Sequence, residues 1–182
     1  MQEPVVIVPY DAHWQTEFNT IAKKLREAIR DEALRIDHIG STAVPGLDAK
    51  PVIDIQISVN KLEPMAYRSA LEVVGYRCRS NNPDLTKRYF REKQGMRRTH
   101  IHVREAGSWS EQFALLFRDF LRQSKEWQQL YAKEKHVLAQ RYSTPHEREL
   151  YVDGKETIVW KIMQEASRWS QQTGWKPAAS DY

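Results

Sequence analysis

The stretch Ile36-Asp-His-Ile-Gly-Ser-Thr-Ala-Val-Pro-Gly-Leu-Asp-Ala-Lys-Pro-Val-Ile-Asp-Ile-Gln-Ile-Ser-Val59 reads as a strand, a turn and a second strand. The first strand, 35–39, runs into Gly40-Ser41, and Pro45 with Gly46 turns the chain. In 52–59 the side chains alternate between two faces. Ile53, Ile55, Ile57 and Val59 form an aliphatic face that belongs on a core. Val52, Asp54, Gln56 and Ser58 form the other, which puts an acid, an amide and a hydroxyl in a row. That row is expected to point into a wet cleft, with the two strands as neighbours.

A Gly-Ser turn after a strand, followed about a dozen residues later by an acid on the next strand, resembles the nucleotidyltransferase superfamily. The longer wording His38-Ile39-Gly40-Ser41-Thr42-Ala43-Val44-Pro45-Gly46-Leu47, then Lys50-Pro51-Val52-Ile53-Asp54-Ile55, is similar to one branch, the GrpB-like proteins. Tyr10-Asp11 with Trp14 and Phe18 resembles that family's opening. His100-Ile101-His102-Val103 and Leu116-Phe117-Arg118-Asp119-Phe120-Leu121 resemble its middle motif. Tyr131-Ala132 with Lys135, and Tyr151 with Lys155, resemble its helical end, so the match spans about residues 8 to 165. Some relatives carry the domain behind a dephospho-coenzyme A kinase, but this chain has no Gly-x-x-x-x-Gly-Lys-Ser/Thr phosphate loop. The resemblance implies an α+β fold, with a nucleotidyltransferase-like mixed β-sheet flanked by helices. One departure stands out: Gln56 occupies the place of the second acid.

The 182 residues suit one domain, 1–175, with 176–182 expected as a flexible tail. No apolar run reaches the roughly 20 residues that span a bilayer. Met1-Gln2-Glu3-Pro4 shows no basic segment ahead of an apolar one, so no signal peptide is visible. A single cysteine, Cys78, excludes an internal disulfide and a cysteine metal cluster. These features together lead to the expectation of a cytoplasmic protein. The net charge of +4 suits an anionic ligand such as a nucleotide, although basic charge often serves only solubility.

Trp14, Phe18, Ile21, Leu25 and Ile29 recur at helical steps, predicting a helix over 11–32 with Asp11 as N-cap. A second helix is expected from Pro64 to Gly75. Strands are expected at 76–79, 87–92 and 98–104. The last third reads as helical: Ser108 with Glu111 forms a capping box, Ser124 caps another helix, and 150–169 continues across Gly154.

Nucleotidyl transfer normally uses two divalent ions on clustered carboxylates. Asp54 is the one acid of the first pair, and Gln56 offers only a neutral oxygen, so an acid restored there should tighten ion binding. His100 and His102 share a strand face. Beside Asp54 they would make an Asp54-His100-His102 metal site suited to manganese or a zinc-type ion, where Asp54 alone suits magnesium or manganese. His102 could instead act as general base with Asp54 as the other catalytic group, or both histidines could simply hydrogen-bond on a polar face. Gly40 and Ser41 are the expected phosphate end. Lys50, Gln56, Arg88, Arg98, Tyr151 and Lys155 complete the candidate substrate-binding set. Asp48, in the loop, has the wrong spacing for a strand partner. Arg118 and Asp119 read at least equally as a structural ion pair.

Two readings stay open: a metal-dependent nucleotidyltransferase acting on a nucleoside triphosphate and an unknown acceptor, or a reduced module that binds a nucleotide or other phosphate-bearing molecule without turnover. Nucleic acid is a weaker partner, because the aromatics sit at helical-core spacing instead of interleaving with basic residues on a strand. Oligomeric state is not readable.

Overall fold

A computed structural model describes residues 4–182. A five-stranded mixed sheet is formed by β1 (Arg35–Ile39), β2 (Ile53–Val59), β3 (Tyr76–Cys78), β4 (Lys87–Glu92) and β5 (Thr99–Glu105). Its order is β1-β2-β5-β4-β3. Only β2 and β5 pair in parallel; β1–β2, β5–β4 and β4–β3 are antiparallel. The helices are α1 (His13–Ile29), α2 (Arg68–Val73), α3 (Trp109–Gln123), α4 (Lys125–Arg141), α5 (Arg148–Gly154) and α6 (Glu156–Thr173). Among the described residues no helix is long and apolar enough to cross a membrane.

The alternation in β2 decides the layering. Ile53, Ile55, Ile57 and Val59 pack with Phe90, Ile101 and Val103 against Trp14, Phe18 and Leu25 of α1 and Leu71 of α2. Fully buried side chains of this kind each contribute about 1.5–3 kcal/mol relative to exposure. A second core ties the loop after Gly40-Ser41 to the C-terminal helices: Val44 and Leu47 pack with Leu116, Leu121, Tyr131 and Ile162. The turn and the helical third therefore form one packed unit.

Several boundaries differ from the sequence reading. The second helix starts at Arg68, not Pro64, with 64–67 in turns and bends. The capping box at Ser108 is half made. Ser108 Oγ accepts the Glu111 N–H, but the Glu111 carboxylate takes the Gly107 N–H (2.6 Å) and the Ser58 hydroxyl instead. The expected 150–169 helix breaks at Lys155 into α5 and α6. Gly154 lies so close to α4 that a Cβ there would stand 2.7 Å from Leu138 Cδ2.

The segment expected as a flexible tail is placed along the outer edge of β1. Ser180 Oγ accepts the Ile36 N–H (2.8 Å), the Tyr182 N–H donates to the Ile36 carbonyl (3.1 Å), and Asp181 Oδ2 accepts the His38 N–H (2.9 Å). Two needs meet here. An edge strand has unpaired backbone groups, and Arg118, only 1% exposed, needs counter-charge. Arg118 reaches Asp119 (2.7 Å) and Asp181 (2.8 Å) and donates to the His38 carbonyl (3.0 Å). It is a structural ion-pair network under the sheet.

Candidate functional site

The polar face of β2 is divided. Gln56 and Ser58 are fully buried beneath α3, where Gln56 accepts from Arg104 (2.7 Å) and donates to the Glu111 carbonyl (3.4 Å). The expectation that this whole row lines a wet cleft is therefore corrected: of its polar residues Asp54 does so, beside Val52, and Gln56 and Ser58 do not. Gln56 also leaves the candidate substrate-binding group, because its amide is committed to Arg104. An acid at 56, expected to tighten ion binding, would face the Arg104 guanidinium.

The parallel pairing of β2 with β5 sets Asp54 opposite His100 and Gln56 opposite His102. His100 Nδ1 lies 3.0 Å and His102 Nε2 3.7 Å from Asp54 Oδ1. One ligand atom from each residue falls within 4.8 Å of the others. Burial pushes the Asp54 carboxyl up, but hydrogen bonds from the His100 and His102 rings outweigh it and hold the acid well below the usual range. Burial lowers His102 to about 4 against the pull of Asp54, so it is neutral at pH 7. One carboxylate and two imidazoles fit a single manganese- or zinc-type ion better than magnesium, which favours hard oxygen ligands. The outer nitrogens, His100 Nε2 and His102 Nδ1, are buried without a protein partner.

Gly40 has φ 71°, and a Cβ there would lie 2.7 Å from Asp54 Oδ2. Glycine is required both for the left-handed backbone and for the close approach of the turn to the acid. Ser41 follows in a single 3-10 turn, Ser41–Ala43.

Positive charge converges on this turn. A cleft of about 340 Å³ is lined by Ser41, Lys50, Asp54, both histidines, Tyr131, Lys135, Arg148, Tyr151 and Lys155, among others. Lys135, only 2% exposed, donates to Ser41 Oγ (3.1 Å) and to the Asp48 carbonyl, and its Nζ lies 4.6 Å from the Tyr131 ring centre. Burial and neighbouring Lys155 lower it to about 7. Lys50 is lowered to about 7 by burial and by Arg148 and Arg98. Lys155 is lowered by burial and lies 4.9 Å from the Tyr151 ring centre. The cations thus depress one another's proton affinity around one acid.

The structure thus gathers Gly40, Ser41, Lys50, Asp54, His100, His102, Tyr151 and Lys155, with Arg98 close enough to influence Lys50. It does not bring Arg88. That residue pairs with Val103 across β4–β5, so it sits on the core-facing side, ion-paired to Glu63 (2.8 Å). Asp48 pairs with His136 (2.8 Å). Sequence reasoning missed Lys135 and Arg148 as cleft residues. The missed signal for Lys135 is its position one turn after Tyr131 on the buried face of α4, with Gln128 and Leu138. It also missed Tyr89, opposite His102 on β4, whose ring centre lies 5.6 Å from that of His100 and 5.2 Å from that of His102. A larger cavity, about 420 Å³, lies between α1 and β3 with Thr16, Ile21, Tyr76 and Met96 in its wall, away from this chemistry.

The mixed sheet, the Gly-Ser turn and the acid beyond it define the nucleotidyltransferase-like class. A structure of Cid1 in complex with its short product ApU shares the fold at TM-score 0.52 and 12% identity, covering 74% of this chain and 43% of that one. The family model for GrpB protein matches residues 4–165, and the chain belongs to the GrpB family. The crystal structure of conserved protein GrpB from Enterococcus faecalis matches at TM-score 0.80 and 29% identity, covering 90% of this chain and 99% of that one. A UPF0157 protein of Pseudomonas aeruginosa is 39% identical over 87% of this chain and 66% of its own length. A dephospho-CoA kinase of Mycolicibacterium paratuberculosis is 34% identical over 96% of this chain, which spans 49% of that relative's length.

Proposed function

We propose that the cleft binds a nucleoside triphosphate, with its phosphates against Gly40-Ser41, Lys50, Lys135 and Lys155 and a divalent ion between Asp54, His100 and His102. The observation that carries this reading is the convergence of Lys50, Lys135, Lys155 and Arg148 on a cleft whose charged acid is Asp54. The fold's reaction class would be transfer of the nucleoside monophosphate to an acceptor, with pyrophosphate leaving. The ion, when bound, would neutralise phosphate oxygens. The lysines would hold the phosphates and complement the charge on pyrophosphate, while Ser41 Oγ would orient one phosphate oxygen.

A second reading, binding without turnover, is favoured by Gln56. Its amide is buried on Arg104, so the strand supplies one carboxylate where a two-ion mechanism uses two. A thermal-shift panel of nucleotides with magnesium, manganese and zinc tests the shared claim, since a ligand that binds only the folded state raises stability. A triphosphate should raise Tm most with manganese or zinc. No shift with any nucleotide, with or without ions, would remove both readings. Pyrophosphate release with candidate acceptors then separates transfer from binding alone.

A further inference from the structure

We propose that the site-side face of β4 and β3 is a second subsite, taking the phosphate and base of a nucleotide-bearing acceptor beside the Asp54 cluster. Its role as an acceptor subsite rests on the triphosphate reading above. The strand register carries the argument. Asp54 pairs with His100, His100 with Arg91 and Arg91 with Arg77, so these four lie in one row on one face. With neighbouring strands 4.7–4.9 Å apart, Arg77 stands about 10 Å beyond His100. The adjacent row runs Gln56, His102, Tyr89. Lys87, Tyr89 and Arg91 therefore alternate basic, aromatic, basic on the site face of β4.

This interleaving is what the sequence reading found lacking among the aromatics. Tyr89 is half-buried between the histidines and the shelf, where its ring can receive a base. Arg77 and Arg79 are exposed at the outer edge. Arg91 is already paired with Glu92 (2.9 Å) and Lys87 with Asp84 (3.2 Å), so the phosphate falls to the exposed Arg77 and Arg79. Helix α2 packs under β3 from the core side, with Leu71 in the cluster of Phe90 and Tyr76. Guanidinium groups two strands from the metal cluster, with a phenol ring between, fit a phosphate and its attached nucleoside. A free mononucleotide and the end of a single-stranded oligonucleotide share that chemistry.

The test titrates two probes, a nucleoside monophosphate and a short single-stranded oligoribonucleotide, into wild-type protein held saturated with a non-hydrolysable triphosphate. The same is done for the double variant R77E and R79E, whose exposed positions leave the core intact. Triphosphate affinity is measured in parallel. At least one probe should bind the wild type and weaken about tenfold or more in the variant, with triphosphate affinity changed less than about twofold. Preference for the oligonucleotide identifies a chain end as the source, and equal binding a free nucleotide. Absence of binding by both probes, or equal affinity for wild type and variant, overturns the subsite. If no triphosphate binds but the probes still bind in an arginine-dependent way, the triphosphate reading fails and the anion shelf stands alone.

Discussion

Replacing Lys135 by methionine should stabilise the protein near neutral pH while weakening its binding of phosphates. Lys135 is almost fully buried, and its amine titrates at about 7 in place of 10.5. Its folded pKa is depressed, so between those values the unfolded chain holds the proton more firmly than the folded one, and stability rises with pH through that window. Integrating the linkage for this one group gives a gain of about 2–3 kcal/mol between pH 6 and pH 9. Methionine removes the titration and keeps the packing. It forfeits the hydrogen bonds to Ser41 and the Asp48 carbonyl, together worth about 1–3 kcal/mol. Urea unfolding of both proteins at pH 6 and pH 9 reads the difference directly. The wild type should gain about 2–3 kcal/mol more than the variant over that range. Equal pH dependence in the two proteins would show that Lys135 is not held in a charge-hostile pocket, and the anion-site reasoning would lose its main support.

Two other substitutions probe the turn and the strand. Gly40→Ala places a Cβ 2.7 Å from Asp54 Oδ2 on a backbone with φ 71°. Chemical denaturation should show a loss of about 1–3 kcal/mol, together with weaker divalent-ion binding. Gln56→Glu should pair with Arg104 and leave manganese affinity within about twofold by isothermal titration, because the Gln56 amide oxygen that it replaces already accepts from Arg104 at 2.7 Å; a tenfold gain would mean that position 56 reaches the ion.

Much of the site was legible because its signals are local. The alternation of Ile53, Ile55 and Ile57 fixed which way Asp54 points, and Gly40-Ser41 marked the turn that meets it. The pairing of His100 and His102 with Asp54 followed from their shared face once β5 lay beside β2. What the sequence could not show depends on long-range packing. Whether Gln56 faces solvent or α3 is decided by Glu111 and Arg104, about fifty residues away. Arg88 and Tyr89 are adjacent in sequence, and only the β4–β5 register tells which of them faces the site. Lys135 looks like an ordinary helical lysine until α4 is packed over Ser41. The placement of 180–182 was hidden because a run as short as Ser180-Asp181-Tyr182 gives no periodic signal. Their order comes from the free edge of β1 and the buried charge of Arg118.

The central claim is that one cleft holds a nucleotide together with an ion on Asp54. Isothermal titration of a non-hydrolysable triphosphate with manganese, into wild-type protein and into Asp54→Asn, tests it most directly. Wild-type protein should bind the triphosphate more tightly with manganese than without. In Asp54→Asn that enhancement should vanish, while ion-free binding to the lysines persists and the circular dichroism spectrum is unchanged. A manganese-dependent affinity that survives Asp54→Asn intact would contradict the account.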